Sequence, residues 1–126
     1  MAGFMPLAST DSVRPDSMTE VELEGHRFLV ARVGEEYFVT DARCPHLGGP
    51  LVKGVLEGSV ITCPWHHSQF DLRDGSCLRW TSFKGAVLTV AELARHPRPL
   101  RAYECKVEDG TLLVGPEKPP GRVCAT

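Results

Sequence analysis

Cys44-Pro45-His46-Leu47-Gly48-Gly49-Pro50 and Cys63-Pro64-Trp65-His66-His67-Ser68 are two short segments that each pair a cysteine with a histidine. Between them, residues 51–62 can form a hairpin around Glu57-Gly58. Such a hairpin brings the two segments face to face, so two thiolates and two imidazoles converge on one point. Pairs spaced Cys-x-His and Cys-x-x-His can share a site without distorting the backbone. Thiolates are soft ligands and imidazoles borderline ones, a set that suits zinc or an iron–sulfur centre rather than magnesium or calcium. A single cysteine or histidine is most often structural. Two Cys-His pairs in Pro- and Gly-rich loops instead indicate a metal site built from Cys44, His46, Cys63 and His66. Ligand type alone leaves both zinc and iron–sulfur open.

Outward from these segments the chain reads as short strands. Thr19, Val21 and Leu23 alternate with Glu20, Glu22 and Glu24, which gives one buried face and one acidic, solvated face. Gly25-His26 reads as a turn, residues 27–33 as a second strand, Gly34 as a break and residues 36–40 as a third. Asp74-Gly75 is expected to turn residues 70–72 back onto 77–80. Tyr103, Cys105 and Val107 alternate with Glu104, Lys106 and Glu108. Asp109-Gly110 then supplies the positive φ angles of a tight turn onto residues 112–114. Strands this short and this closely spaced mean an antiparallel sandwich or barrel. Thr89-Val90-Ala91-Glu92 has the form of a capping box and predicts a short helix that stops at His96-Pro97. The tail, residues 116–126, has three prolines and no periodicity, and is expected to be loose.

The whole composition is compatible with one domain over residues 1–126 and excludes several classes of function. Apolar residues make up 42% and charged residues 24%, with a net charge of −2, so nothing suggests a nucleic-acid partner. No stretch approaches the roughly 20 apolar residues of a membrane helix, and the N-terminal sequence has neither the basic start nor the apolar run of a signal peptide. Five cysteines, an odd number, do not look like a secreted disulfide framework. The expected location is the cytoplasm, with no membrane partner.

The arrangement of Cys-x-His, sixteen residues and Cys-x-x-His resembles the Rieske iron–sulfur family, from about Phe4 to Gly115. Residues 44–50 and 63–71 carry the specific part of the resemblance. It implies an all-β Rieske fold: an antiparallel sheet sandwich or barrel base, an inserted cluster-binding subdomain at about residues 42–71, and one short helix. It also implies one [2Fe-2S] cluster per chain, with Cys44 and Cys63 on a buried iron and His46 and His66 on an outer one. Two neutral imidazoles in place of two thiolates make such a centre easier to reduce, at roughly −150 to +300 mV. The implied protein is a soluble Rieske-type ferredoxin, an electron carrier and not an enzyme. Its partners would be a flavin reductase and a terminal oxygenase, with no small-molecule substrate of its own. Two other readings stand beside it: a small Rieske subunit of a larger redox enzyme, such as nitrite reductase, and a zinc-stabilised interaction module.

Within the resemblance, Gly48 and Gly49 would let backbone amides approach the bridging sulfides. Ser68 stands where high-potential members bond a sulfide. Phe70 stands where they place a tyrosine hydroxyl against a cysteine sulfur. Gly49 and Trp65 occupy the positions of their inter-loop disulfide, which this sequence therefore lacks. These features point to the lower half of the Rieske range. His67, at a position often held by glycine, reads as a solvated histidine. Leu47 and Trp65 read as an apolar docking patch beside the ligands. Cys105 reads as core and Cys124 as a free tail thiol, while Cys77 has no histidine at ligand spacing. Residues 79–99 are rich in apolar side chains and could form a shoulder beside the cluster.

Overall fold

The computed structural model describes residues 3–45, 49–64, 67–79 and 99–122. Ten strands lie among them: β1 (Met5–Ser9), β2 (Ser17–Leu23), β3 (His26–Val33), β4 (Glu36–Asp41), β5 (Val55–Glu57), β6 (Val60–Thr62), β7 (Gln69–Asp71), β8 (Cys77–Arg79), β9 (Ala102–Glu108) and β10 (Thr111–Glu117). They form two antiparallel sheets. The larger has the order β1-β10-β9-β4-β3-β2, and the smaller β5-β6-β7-β8. The helical elements among the described residues are two 3-10 turns, at Thr10–Ser12 and Leu51–Lys53. The helix expected after Thr89 lies outside the described residues.

Strand β3 explains how the two sheets are joined. Phe28-Leu29-Val30-Ala31 is apolar without alternation, the pattern of a strand covered on both faces. Leu29 and Ala31 pack into one core with Phe38, Leu51, Ile61, Phe70, Leu72 and Leu100. Phe28 and Val30 pack into a second core with Val13, Val39, Leu112 and Val114. The first core glues the smaller sheet to the larger one; the second fills the larger sheet's own curve. A buried leucine or phenylalanine of this kind contributes about 1.5–3 kcal/mol over its exposed state, so both cores are needed to hold β3 in place.

Turn chemistry sets most of the hairpins. Asp109 (φ 51°) and Gly110 (φ 77°) close β9 onto β10, with Glu108 facing Thr111. The β5–β6 hairpin turns at Gly58-Ser59, with Glu57 facing Val60, within one residue of expectation. The β2–β3 turn falls on Glu24-Gly25, not Gly25-His26: Leu23 pairs with His26, which already belongs to β3. The glutamates of β2 are more than a solvated face, since Arg27 reaches Glu20 at 2.8 Å and Glu22 at 3.6 Å.

Two expectations need correction, on the tail and on Cys105. The tail is not loose through residue 122. β10 runs to Glu117, the Lys118 amide donates to Ala102 O at 2.8 Å, and the Arg122 amide donates to Ser76 Oγ at 2.9 Å. The smaller sheet runs on to Arg79, through the turn expected at Asp74-Gly75. Cys105 is half-buried at the edge of the second core, where its thiol donates to Tyr37 O at 3.3 Å. Burial pushes that thiol's pKa up. Here β9 pairs with β4 only at Tyr103 and Ala102, so the strand beyond gains less cover and Val107 is exposed.

Candidate metal centre

Two six-residue loops carry the candidate ligands, and they share one construction. The first, residues 44–49, is closed at its neck by the Arg43–Pro50 bridge, with Leu51 N–H donating to Ala42 O at 3.1 Å. The second, residues 63–68, is closed by the Thr62–Gln69 pair, whose side chains meet at 3.2 Å. In each loop the amide of the leading cysteine donates to the carbonyl five residues on: Cys44 to Gly49 at 2.9 Å, Cys63 to Ser68 at 2.7 Å. The bond ties each loop's end back to its start and keeps the cysteine at the base.

Both cysteines face the first core. Cys44 is 2% exposed and Cys63 1%, among Leu51, Ile61, Phe70 and Leu72. Neither takes part in a disulfide. Buried thiolates are costly in apolar surroundings unless a cation compensates them, and soft metal ions are the compensation thiolates prefer. This pair of sulfurs therefore fits the thiolate half of an iron–sulfur centre. His46 and His66 lie outside the described residues, as do Leu47 and Trp65.

A close approach brings the loops together. After the first loop the chain makes the Leu51–Lys53 turn and reaches Gly54, which packs directly against the carbonyl of Thr62. A Cβ at residue 54 would collide with that oxygen and crowd the carbonyl of Leu51. The exit of one loop thus rests on the entry of the other.

The second loop has a further support that the sequence reading missed. Arg79, on β8, donates from Nε to His67 O at 3.0 Å. The β7–β8 register sets Arg79 across from Gln69 at the loop's neck, a placement no motif in the sequence announces. His67 is exposed and has φ 61°, a left-handed conformation that favours glycine. Ser68 and Phe70 are wholly buried, Phe70 in the same core as the two cysteines. Below the first loop, Asp41 accepts from Tyr103 OH at 2.6 Å and meets His26 Nε2 at 2.7 Å. Burial and that carboxylate push the Tyr103 pKa well above the usual phenol range. The expected shoulder over residues 79–99 has only its two ends, Arg79 and Pro99, among the described residues.

The Cys63 loop stands on the smaller sheet and the Cys44 loop follows β4 of the larger; two buried-cysteine loops on such a frame have the build of an iron–sulfur protein of the all-β class. The chain belongs to the Rieske [2Fe-2S] domain family, whose model matches residues 3–97, and its cofactor is accordingly one [2Fe-2S] cluster. The ferredoxin component of biphenyl 2,3-dioxygenase from Rhodococcus jostii (strain RHA1) is 30% identical over 108 residues, covering 86% of this chain and 88% of that one. Apoptosis-inducing factor 3 from Mus musculus is 41% identical over 58 residues, 46% of this chain but 10% of that protein. This chain spans about a tenth to a sixth of the length of several curated relatives that it matches. Among solved structures, the ferredoxin of carbazole 1,9a-dioxygenase from Nocardioides aromaticivorans IC177 superposes with a TM-score of 0.72 at 26% identity, over 90% of this chain and 98% of that one. The antiparallel architecture is thus the Rieske fold. No described helix is long and apolar enough to cross a membrane.

Proposed function

We propose that this chain is a one-electron carrier, a ferredoxin that passes electrons from a flavin reductase to a terminal oxygenase in the cytoplasm. Its cluster is held by Cys44, His46, Cys63 and His66. The observation that carries the reading is the pair of matched loops, each opening on a buried cysteine outside any disulfide. The ferredoxin relatives support it, because they match over most of both chains.

When bound, the cluster takes up and returns one electron. The chain's own residues arrange the rest. Cys44 and Cys63, both buried, would hold one iron out of contact with water, and His46 and His66 would hold the other. The Gly49 and Ser68 carbonyls fix the ends of the loops by accepting from the cysteine amides. Arg79 braces the second loop and adds a positive charge beside it, which favours the more negative, reduced centre.

The test is electron transfer with the flavoprotein reductase and Rieske-type oxygenase encoded nearest to it. With NADH and the reductase, the protein should be reduced by one electron per chain, and the oxygenase should reoxidise it. A cluster that dithionite reduces but that exchanges electrons with neither protein would contradict the proposal.

A further inference from the structure

Three exposed cations stand at the necks of the two cysteine loops. Arg43 bridges Pro50 at the neck of the first. Lys53 ends the turn that follows, its amide donating to Pro50 O at 3.0 Å. The next residue, Gly54, lies against the Thr62 carbonyl; Thr62 pairs with Gln69 across the neck of the second loop, and Gln69 pairs with Arg79 on β8. One run of backbone contacts thus links the three. Among the described residues none of them makes an ion pair. Two exposed apolar side chains flank them: Val55, 58% exposed, two residues after Lys53, and Leu78, 53% exposed, next to Arg79.

Carboxylates are scarce here. From residue 42 to residue 70 the sequence holds one, Glu57. The register puts it opposite Val60, at the far end of its hairpin from the Val55–Thr62 pair that leads into Cys63. Asp71 also lies opposite Val60, with Arg73 on it at 2.7 Å. Asp41 is engaged by His26 and Tyr103, and Glu20 and Glu22 by Arg27. The net charge of the chain is −2, so this positive margin runs against the average.

We propose that the margin formed by Arg43, Lys53 and Arg79 is a docking face for redox proteins whose contact surfaces are acidic. The inference rests on the function proposed above and names the chemistry of its partners. Spread evenly, a net charge of −2 would repel an acidic surface. Cations gathered at the loop necks attract it instead, over roughly a Debye length, about 8–10 Å near physiological salt. Attraction centred there also turns the partner toward the loops during encounter. Arg79 is already held by its bond to His67 O at 3.0 Å, so it loses less freedom when a carboxylate binds it. Val55 and Leu78 supply apolar contact beside the cations, and an interface needs such a centre as well as a charged rim.

The face is tested on the holoprotein by stopped-flow absorbance, with the flavoprotein reductase and the Rieske-type oxygenase encoded nearest to it. Both second-order rate constants, for reduction by the one and reoxidation by the other, should fall as salt is added. Arg43→Glu and Lys53→Glu should each slow both reactions on the order of fivefold at low salt and converge on wild type at high salt. Lys106→Glu makes the same change in net charge on β9, beyond that strand's pairing with β4, and should leave both rates near wild type. Loss of positive charge acting only on the cluster's potential would slow reduction but speed reoxidation, whereas loss of docking slows both. Rates that rise with salt, opposite changes in the two directions, or equal slowing by Lys106→Glu would overturn the proposal. If neither protein exchanges electrons, the proposed function fails, and small oxidants still read the face. Added salt should then slow oxidation of the dithionite-reduced protein by ferricyanide and speed it by hexaammineruthenium(III); the reverse pattern would overturn the face itself.

Discussion

The amide of Cys63 donates to the carbonyl of Ser68 at 2.7 Å, across a loop whose neck is the Thr62–Gln69 pair. The same closure in the Cys44 loop makes two interchangeable supports, and each sets one cysteine at the floor of its loop. The backbone thus sets where the two cysteines stand.

Loss of a ligand should be distinguishable from loss of an ordinary cysteine. His46→Ala and Cys63→Ala should each abolish cluster assembly, because three ligands do not close the site. Cys105→Ala should keep the cluster and cost on the order of 1 kcal/mol of stability. Iron content and chemical unfolding measure the two effects. A bleached Cys105→Ala protein beside a coloured Cys63→Ala one would overturn the assignment.

The rest point between the loops should tolerate no side chain. Gly54→Ala drives a methyl group into the Thr62 carbonyl. The cost should be about 1–3 kcal/mol, typical of overpacking, with a fall in cluster occupancy, since the strand that moves leads into Cys63. Wild-type stability and occupancy would show that the two loops can shift apart freely.

Phe70 offers a way to tune the potential. It is wholly buried in the core that holds both cysteines. A hydroxyl added by Phe70→Tyr must find a partner there or lose stability. Bonded to a cysteine sulfur, it should raise the reduction potential, because a donor to sulfur stabilises the reduced cluster. Protein-film voltammetry reads the shift. An unchanged potential with an intact cluster would show that the ring points away from both sulfurs.

Acid should selectively weaken the β7–β8 hairpin. The Arg73 side chain, 2.7 Å from Asp71, holds that carboxyl below its usual pKa, and burial opposes the shift without cancelling it. A depressed native pKa gives stability that is complete above the unfolded value, about 3.9, and is lost as pH falls through the native value. Arg73→Gln should therefore lower the melting temperature at neutral pH, with a deficit that narrows in acid. A deficit that is the same at both ends of the range would exclude the ion pair as its cause.

The hairpins were legible because their turn residues are specific: Asp109-Gly110 and Gly58 need positive φ, and the structure turns there. The two cysteine loops were legible as spacing, one on each side of a hairpin, while their histidines lie outside the described residues. The β2–β3 turn was missed by one residue because Glu24 adopts the left-handed conformation that glutamate seldom takes. The anchored tail was hidden because its hold is backbone hydrogen bonding and close glycine packing, neither of which leaves a periodic pattern.

The central claim is tested most directly by metal and sulfide analysis of the purified protein together with electron paramagnetic resonance of its reduced form. The expected result is a red-brown protein with about two irons and two sulfides per chain. Its reduced signal should have the low average g value of a mixed nitrogen–sulfur ligand set, and that signal should disappear in His66→Ala. A colourless protein holding one zinc ion, or a reduced signal with the higher average g of an all-cysteine cluster, would contradict the assignment of Cys44, His46, Cys63 and His66.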